Sequence, residues 1–273
     1  MTRIVLFVLA NLAVLLVLSV GASLLGIRGH SLNSMLMFCG LLGMGGSFIS
    51  LLMSKKLAKW STGARVLTGN EGGYEQWLVQ TVAELAQRAG IGMPEVAFYE
   101  GAPNAFATGA FRDEALVAVS TGLAESMTHE EVRAVLAHEI AHIANGDMVT
   151  MSLLQGVLNT FVMVAARVLA GNDRRGAHNI VVFVLEMVFG LLTSLIVMAF
   201  SRHREYRADW GAAELLGSAV PMQRALYRLG HASSDLPQEV AAMGISGGGG
   251  MADLLRSHPH IEDRIAALEQ FGR

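Results

Sequence analysis

Residues 128–147 read THEEVRAVLAHEIAHIANGD, a stretch with the residue types of helix boundaries at both ends. Thr128 and Glu131 have the spacing of a capping box, in which each side chain accepts a hydrogen bond from the backbone N–H of the other residue. Gly146 is the residue type that most often ends an α-helix. The stretch therefore predicts a single helix, which ends shortly after two closely spaced histidines.

This helix contains the motif His138-Glu139-Ile140-Ala141-His142. Histidines at i and i+4 face the same side of a helix and can bind one metal ion, while Glu139 can reach a water molecule at that metal. Ordinary core or surface histidines are the alternative, but burying two unpaired polar side chains among apolar neighbours is costly. Two imidazoles favour zinc over magnesium or calcium. Asp147, just past the helix, either orients an imidazole or is a plain helix-end residue.

A third ligand has to come from elsewhere, because the glycine and histidine of the extended metzincin motif do not follow His142. The stretch 201–209 offers Glu205 and Asp209 at i and i+4 on a predicted helix. Glu205 would bind the metal, and Asp209 would accept a hydrogen bond from a ligand imidazole. His203 is the alternative ligand, and a solvated, salt-bridged helix face is the alternative interpretation of the whole stretch.

The composition indicates a membrane protein. Of the 273 residues 52% are hydrophobic and only 16% are charged, and the mean hydropathy is +0.45, which is too apolar for an ordinary soluble domain. A net charge of −3 gives no basic surface for a nucleic-acid partner. Cys39 is the only cysteine, which excludes an intramolecular disulfide framework and a multi-cysteine metal site.

Two long apolar runs, Ile4–Ile27 and Leu32–Met53, lie close together near the N-terminus. As a helix the first run reaches about 36 Å, enough to cross a hydrocarbon layer of about 30 Å. A cleaved secretory signal is the alternative for this run, although the run is longer than the apolar core of such signals. The two runs predict a transmembrane hairpin over residues 1–53.

Two further apolar runs, Met151–Ala170 and Ile180–Phe200, predict a second hydrophobic hairpin over residues 151–200. The two runs carry Arg167 and Glu186, which are costly in lipid unless they face a partner. We expect an ion pair between them, with snorkelling of the arginine to the membrane surface as the alternative. The chain therefore has four candidate transmembrane helices.

Basic residues directly follow the second and the fourth apolar run: Lys55, Lys56, Lys59, Arg202, Arg204 and Arg207. By the positive-inside rule both flanks lie in the cytoplasm, so residues 54–150 and 201–273 can form the two parts of one catalytic domain. Arg174 and Arg175 argue against a full crossing of the second hairpin. Gly247–Gly250 predicts a flexible loop.

The first of these segments also contains a predicted helix, Tyr74–Arg88, with apolar residues at helical spacing. It is followed by three β-leaning runs, Glu95–Tyr99, Ala105–Thr108 and Ala115–Val119, which predict a small antiparallel sheet. Turn residues bound Pro103–Gly109, which could form an edge strand. Unpaired backbone groups at such an edge can bind an extended peptide, although an edge strand can equally be plain scaffold.

Taken together, these blocks resemble the HtpX type of membrane-embedded zinc metalloprotease, which is related to the type I CAAX prenyl endoproteases. The resemblance runs along the whole chain and rests on the order of these blocks: the N-terminal spans, Pro103–Gly109, His138–His142 with Asp147, the second hairpin, Arg202–Asp209, and His258-Pro259 before Arg264-Ile265. The metal motif alone is shared by many unrelated proteases, whereas this order of blocks is highly specific.

The resemblance implies a mainly α-helical integral membrane protein with a zincin-like α+β domain. One Zn²⁺ per chain would be held by His138, His142 and Glu205, with Glu139 as the catalytic general base acting on metal-activated water. His258 would lie near the cleft and stabilise an oxyanion, or else be an ordinary surface histidine.

The same resemblance places Asn104 and Ala105 on the strand that aligns the substrate. It implies ATP-independent cleavage of damaged or misfolded membrane proteins, as part of protein quality control and stress response. The partners would be polypeptide substrates and the lipid bilayer, with no nucleotide and no nucleic acid. The active site would face the cytoplasm at a bacterial inner membrane.

Two other functions stay open at this point. In a membrane chaperone or scaffold, the zinc would only tie the two soluble segments together, but a structural site normally has four protein ligands. Cleavage of prenylated C-terminal peptides would need a large cavity among several more spans, and four candidate spans leave little chain for one.

Overall fold

The structure is a computed structural model that describes residues 30–171, 178–234 and 258–271. The described helices are α1 His30–Thr62, α2 Gly73–Ala89, α3 Thr121–Ser126, α4 His129–Asn145, α5 Asp147–Ala170, α6 His178–Leu216, α7 Val220–Ser234 and α8 Ile261–Leu268. The strands are β1 Arg65–Val66, β2 Glu95–Tyr99, β3 Ala105–Thr108 and β4 Leu116–Ser120, and a 3₁₀ turn spans Arg112–Glu114.

The chain divides into two compact units. The apolar unit consists of the described residues up to Leu51 together with Thr150–Val197. The sheet unit consists of Leu52–Val149 and the described residues from Met198 onward. It contains the four strands found among the described residues, and the predicted metal motif.

Three of the described helices are long and apolar enough to cross a membrane: Ser34–Thr62, Asp147–Ala170 and Asn179–Leu216. They correspond to the second, third and fourth predicted spans. The first, Ile4–Ile27, lies outside the described residues, as do Arg174 and Arg175 and the glycine loop Gly247–Gly250. Within the apolar unit the predicted ion pair is present, with Arg167 Nη1 2.6 Å from Glu186 Oε1.

The sheet has the strand order β1-β2-β4-β3, and it corrects the prediction of a purely antiparallel sheet. β3 and β4 pair antiparallel, but β4 also pairs parallel with β2, from Glu95↔Leu116 to Tyr99↔Ser120. Every residue of β4 is buried, so this strand is favoured at the centre of the sheet, between two earlier strands. The chain passes from β2 to the edge strand β3 and then returns as β4, which lies between β2 and β3.

Helix α4 has the boundaries that the sequence predicts, and α2 extends one residue beyond the predicted Tyr74–Arg88 at each end. The side chain of Thr128 accepts a hydrogen bond from Glu131 N, and the carboxylate of Glu131 accepts one from Thr128 N. Gly90 ends α2 and Gly146 ends α4, both in the left-handed conformation that glycine adopts without strain. Because α4 packs against the sheet, α2 and α7 in one core, its histidines are held on a buried face.

Helix α6 is uninterrupted from His178 to Leu216 and approaches α4 closely. The contact is made at Gly211, where an added Cβ would lie only 2.8 Å from the Cβ of Ala141. Ala141 lies within the predicted metal motif, beside His142. Glycine therefore permits the approach that brings the C-terminal half of α6 beside the histidines.

Gly211→Ala is therefore expected to lower the melting temperature of the purified protein in detergent. Alanine in place of a helix-interior glycine normally stabilises by about 0.5–1 kcal/mol, but overpacking a tight contact costs about 1–3 kcal/mol. Gly190→Ala in the same helix is the matched control, because nothing lies within 4 Å of its added Cβ. Equal melting temperatures for the two variants would contradict the close approach at Gly211.

Candidate metal centre

Three buried side chains from α4 and α6 converge in the sheet unit. The Nε2 atoms of His138 and His142 are 3.1 Å apart, and the carboxylate of Glu205 lies 3.5 and 3.3 Å from them. Their potential ligand atoms all lie within 4.8 Å of one another. Across residues 30–171, 178–234 and 258–271, no other group of three His, Cys, Asp or Glu side chains is arranged in this way.

The electrostatics of this group suit a cation. Burial works to lower the pKa of His138, but the carboxylates of Asp209 and Glu205 outweigh it and raise that pKa to about 9. Burial likewise opposes ionisation of Glu205, yet hydrogen bonds with the neighbouring imidazoles hold its pKa well below the usual range. The three side chains therefore stabilise positive charge between them, and a divalent cation supplies such charge. Two imidazoles and one carboxylate are a donor set found at catalytic metal sites.

Asp147 fixes the orientation of His142. Its Oδ2 atom lies 2.7 Å from His142 Nδ1, on the side of the ring opposite Glu205. Arg207 Nη2 lies 2.6 Å from Asp147 Oδ1 and Arg204 Nε lies 3.4 Å from Asp147 Oδ2. Although burial opposes it, the hydrogen bond with His142 and the arginine charges lower the pKa of the Asp147 carboxyl. Asp147 is thus an ionised partner of the imidazole rather than a plain helix-end residue.

Asp209 stands in the corresponding position beside His138. Its Oδ1 atom is 2.9 Å from His138 Nδ1, although the angle falls short of a well-formed hydrogen bond. The guanidinium of Arg264 donates to both oxygens of Asp209, at 2.8 and 2.7 Å, and its Nη1 atom lies 3.3 Å from Glu205 Oε2. Arg264 therefore holds two of the carboxylates of the site in place.

In the sequence, Arg264 belongs to a C-terminal pattern, and nothing in that pattern predicts that it is part of the site. One signal was available, because Arg264 lies at i+3 from Ile261 and i−4 from Leu268. All three residues are buried on one face of α8. An arginine on the apolar face of a helix needs a carboxylate partner, and the sequence alone does not identify that partner.

Glu139 lies beside the group and faces a cavity of about 230 Å³. Its lining comes from the β3 edge, α3, α4, α6, α7 and the start of α8: Pro103, Asn104, Ala105, Leu123, Val135, His138, Glu139, Glu205, Met222, Leu226, Leu229, His258, Pro259, Ile261 and Arg264. Enclosure by the protein raises the pKa of the Glu139 carboxyl, and the two imidazoles partly offset this effect. Among the described residues, those that line the larger clefts of the same unit include no such donor group.

The free edge of β3 borders this cavity. Ser120 N donates a hydrogen bond to Asn104 O at 3.0 Å, so these two residues form a bonded pair of the β3–β4 ladder. Bonded pairs alternate along an antiparallel ladder, which turns the backbone groups of Ala105 and Ala107 away from β4. The N–H of Ala107 donates instead to the carboxylate of Glu139. The outer edge of β3, the last strand of the described sheet, and Glu139 are therefore direct neighbours.

The structure also locates the two remaining candidate histidines. His258 Nδ1 lies 2.9 Å from Glu205 Oε2, and the His258 side chain is 50% exposed at the rim of the cavity. His203, the alternative ligand, is exposed and lies outside the converging group. The predicted ligands His138, His142 and Glu205 are thus brought together, with Glu139, Asn104, Ala105 and His258 around one cavity.

Comparison with known proteins identifies the family. Residues 74–271 match the model of peptidase family M48. The Protease HtpX homolog of Leptothrix cholodnii is 55% identical over 289 residues, covering 99% of both chains. That of Janthinobacterium sp. (strain Marseille) is 56% identical over 98% of this chain and 99% of its own.

A likeness of fold extends to the crystal structure of S. mikatae Ste24p. The TM-score is 0.62 at 20% sequence identity, over 85% of this chain and 56% of that chain. The resemblance read from the sequence is thereby confirmed. Because the family model covers most of the chain and its relatives align end to end, this membrane metallopeptidase belongs to peptidase family M48.

Proposed function

We propose that the protein is a zinc endopeptidase that cleaves damaged or misfolded membrane proteins. The observation that carries this proposal is the buried group of two histidines and one glutamate, which lies next to Glu139 and the free edge of β3. The close relatives, which are named Protease HtpX homolog, support the assignment to proteolysis. Apolar helices of membrane length in the same chain support membrane proteins as the substrates.

In this proposal His138, His142 and Glu205 hold one Zn²⁺ per chain. When held there, zinc would polarise the scissile carbonyl and would lower the pKa of bound water to about 7. Asp147 and Asp209 keep the Nδ1 side of each imidazole occupied, so that each Nε2 faces the cation position. Three protein ligands leave a position for the reacting groups, as catalytic zinc sites require.

Glu139 acts as the general base. Its carboxylate takes a proton from the attacking water and delivers that proton to the leaving amine when the C–N bond breaks. A pKa raised by enclosure makes Glu139 a better proton acceptor than an exposed glutamate. The hydrogen bond from Ala107 N–H fixes one carboxylate oxygen, which aims the group along the strand edge.

The substrate binds to β3 as an added strand. Ala105 offers its backbone N–H and C=O on the free edge, and Asn104 precedes it at the mouth of the cavity. Main-chain hydrogen bonds of this kind accept many sequences, provided that the substrate segment is extended. This requirement favours unfolded or misfolded chains over compact ones. His258, at the rim, would donate to the oxygen that becomes negative on the scissile carbonyl.

We further propose that the catalytic domain comprises residues 54–150 and 201–273 and faces the cytoplasm of a bacterial inner membrane. The hairpins 1–53 and 151–200 would anchor it there. Basic residues directly after α1's apolar run and along the second half of α6 support this orientation under the positive-inside rule. The relatives cited above are bacterial proteins. Cleavage would need neither a nucleotide nor a nucleic-acid partner.

The test uses the full chain purified in detergent, analysed for metal and assayed with casein. We expect one zinc per chain, cleavage of casein, loss of cleavage with 1,10-phenanthroline, and recovery when zinc is restored. Cleavage that survives complete metal removal would overturn the proposed mechanism. A zinc-loaded protein that cleaves no polypeptide, with a fourth protein ligand on its zinc, would instead establish a structural site.

A further inference from the structure

One loop of the sheet unit contacts α1 just after the apolar run of that helix ends. We call residues Gly109–Glu114, between β3 and β4, the β3–β4 loop. Lys55 follows the apolar run of α1 by two residues, and its Nζ atom donates to the backbone oxygen of Glu114 at 3.0 Å. A lysine at the end of a membrane-spanning helix places its ammonium group in the headgroup layer. The loop that binds this ammonium therefore lies at the same depth.

A second set of contacts fixes the same end of the sheet beside α1. Glu95 Oε1 lies 2.7 Å from Lys55 Nζ, and Glu95 Oε2 lies 3.0 Å from Lys59 Nζ. Glu95 pairs with Leu116 in the sheet, so the start of β2 and the start of β4 are both at this end. Two lysines on successive turns of α1 thus tie the β3–β4 loop and its neighbouring strands to the segment just outside the membrane.

The β3–β4 loop presents apolar surface at this depth. Phe111 is 52% exposed, and Met93, on the segment joined to the loop by a 2.8 Å hydrogen bond from Gly92 N to Asp113 Oδ1, is 46% exposed. Arg112, next to the phenylalanine, is also exposed. Large apolar side chains that stay exposed on a loop are unfavourable in water, whereas aromatic rings are favoured at the membrane interface. Arginine beside them suits anionic headgroups.

We propose that the β3–β4 loop is a lipid-binding element, with Phe111 inserted into the headgroup layer and Arg112 contacting anionic lipid. The loop directly continues β3, whose Thr108 end therefore lies closest to the bilayer. A polypeptide drawn out of the membrane meets this end first and then runs along the free edge toward Glu139. The lipid contact would thus fix the edge strand at a constant height above the bilayer.

The test places a fluorescent label beside the phenylalanine in the full chain. Cys39→Ala removes the native thiol, and Ala110→Cys accepts an environment-sensitive dye in vesicles of phosphatidylcholine and phosphatidylglycerol. We expect a blue-shifted emission, quenching by lipids that carry a nitroxide near the headgroup, and protection from aqueous iodide. The same label at Glu125→Cys is the control, because Glu125 is exposed on α3, which follows the opposite end of β4.

Substitutions at Phe111 show whether protection of the label depends on that side chain. Phe111→Ser should restore iodide quenching of the label, and Phe111→Leu should keep it protected. Arg112→Ala should reduce the difference between vesicles with and without phosphatidylglycerol. A label that iodide quenches equally at positions 110 and 125 would overturn the proposal. So would protection from iodide without quenching by the nitroxide lipids, since another protein surface would then cover the loop.

Discussion

Glu139→Gln is expected to abolish cleavage of casein while leaving the metal bound. Glutamine has the size of glutamate and can still accept the hydrogen bond from Ala107 N–H, but it cannot take a proton from water. Loss of a general base lowers a rate by about 10²–10⁴-fold. The metal is expected to stay because its proposed ligands are His138, His142 and Glu205, which this substitution leaves in place.

Two measurements on the same sample check this expectation: the initial rate of casein cleavage and the metal content by mass spectrometry. Glu130→Gln is the matched control, since Glu130 lies on the same helix with a largely exposed side chain and only a 3.4 Å contact to Arg224. It should retain both activity and metal. A Glu139→Gln protein that cleaves casein at the wild-type rate would remove Glu139 from the reaction.

Glu205→Gln is expected to empty the site of metal. The Glu205 carboxylate is the only negatively charged member of the converging group, and Arg264 Nη1 lies 3.3 Å from it. Its replacement leaves two neutral ligands beside a buried guanidinium. Removing a residue that merely orients a ligand already costs about 10- to 100-fold in metal affinity, so loss of a direct ligand should cost more than about 100-fold.

Competition with a chromophoric zinc chelator measures this loss directly, without an activity assay. Glu214→Gln makes the same chemical change on α6 at an exposed position and should bind zinc with the wild-type affinity. If Glu205→Gln also bound zinc as tightly as the wild type, a different side chain would have to be the third ligand. His258, whose Nδ1 atom contacts the same carboxylate, would be the first to examine.

The parts of the site that were predictable from the sequence are those set by helical spacing. His138 and His142 are one helical turn apart, and so are Glu205 and Asp209. Each pair is therefore placed on one face as soon as a single helix is predicted correctly. The capping box and Gly146 likewise depend on neighbours within a few residues. Spacing alone left Glu205 as one of several alternatives for the third ligand. The resemblance to the family, which rests on the order of the sequence blocks, then indicated that both helices contribute to one ligand set.

The features that the sequence did not predict depend on partners far along the chain. The parallel pairing of β2 with β4 requires β4 to enter the sheet between two earlier strands, and short apolar runs carry no signal for that choice. The role of Arg264 depends on α8 packing beside α6, across 55 residues of sequence separation from Asp209. The contact of Lys55 with Glu114 spans a comparable separation of 59 residues.

The carboxylates behind the two imidazoles have a thermodynamic consequence. Asp147 and Asp209 favour the tautomer of each ring that carries hydrogen on Nδ1, so both Nε2 lone pairs point at Glu205 and at each other. The lone pairs and the carboxylate repel one another unless a positive charge lies between them. A proton on His138, whose pKa is raised to about 9, can supply that charge. A metal cation and a proton therefore compete for the same position between these side chains, and metal uptake, proton release and folding become linked equilibria.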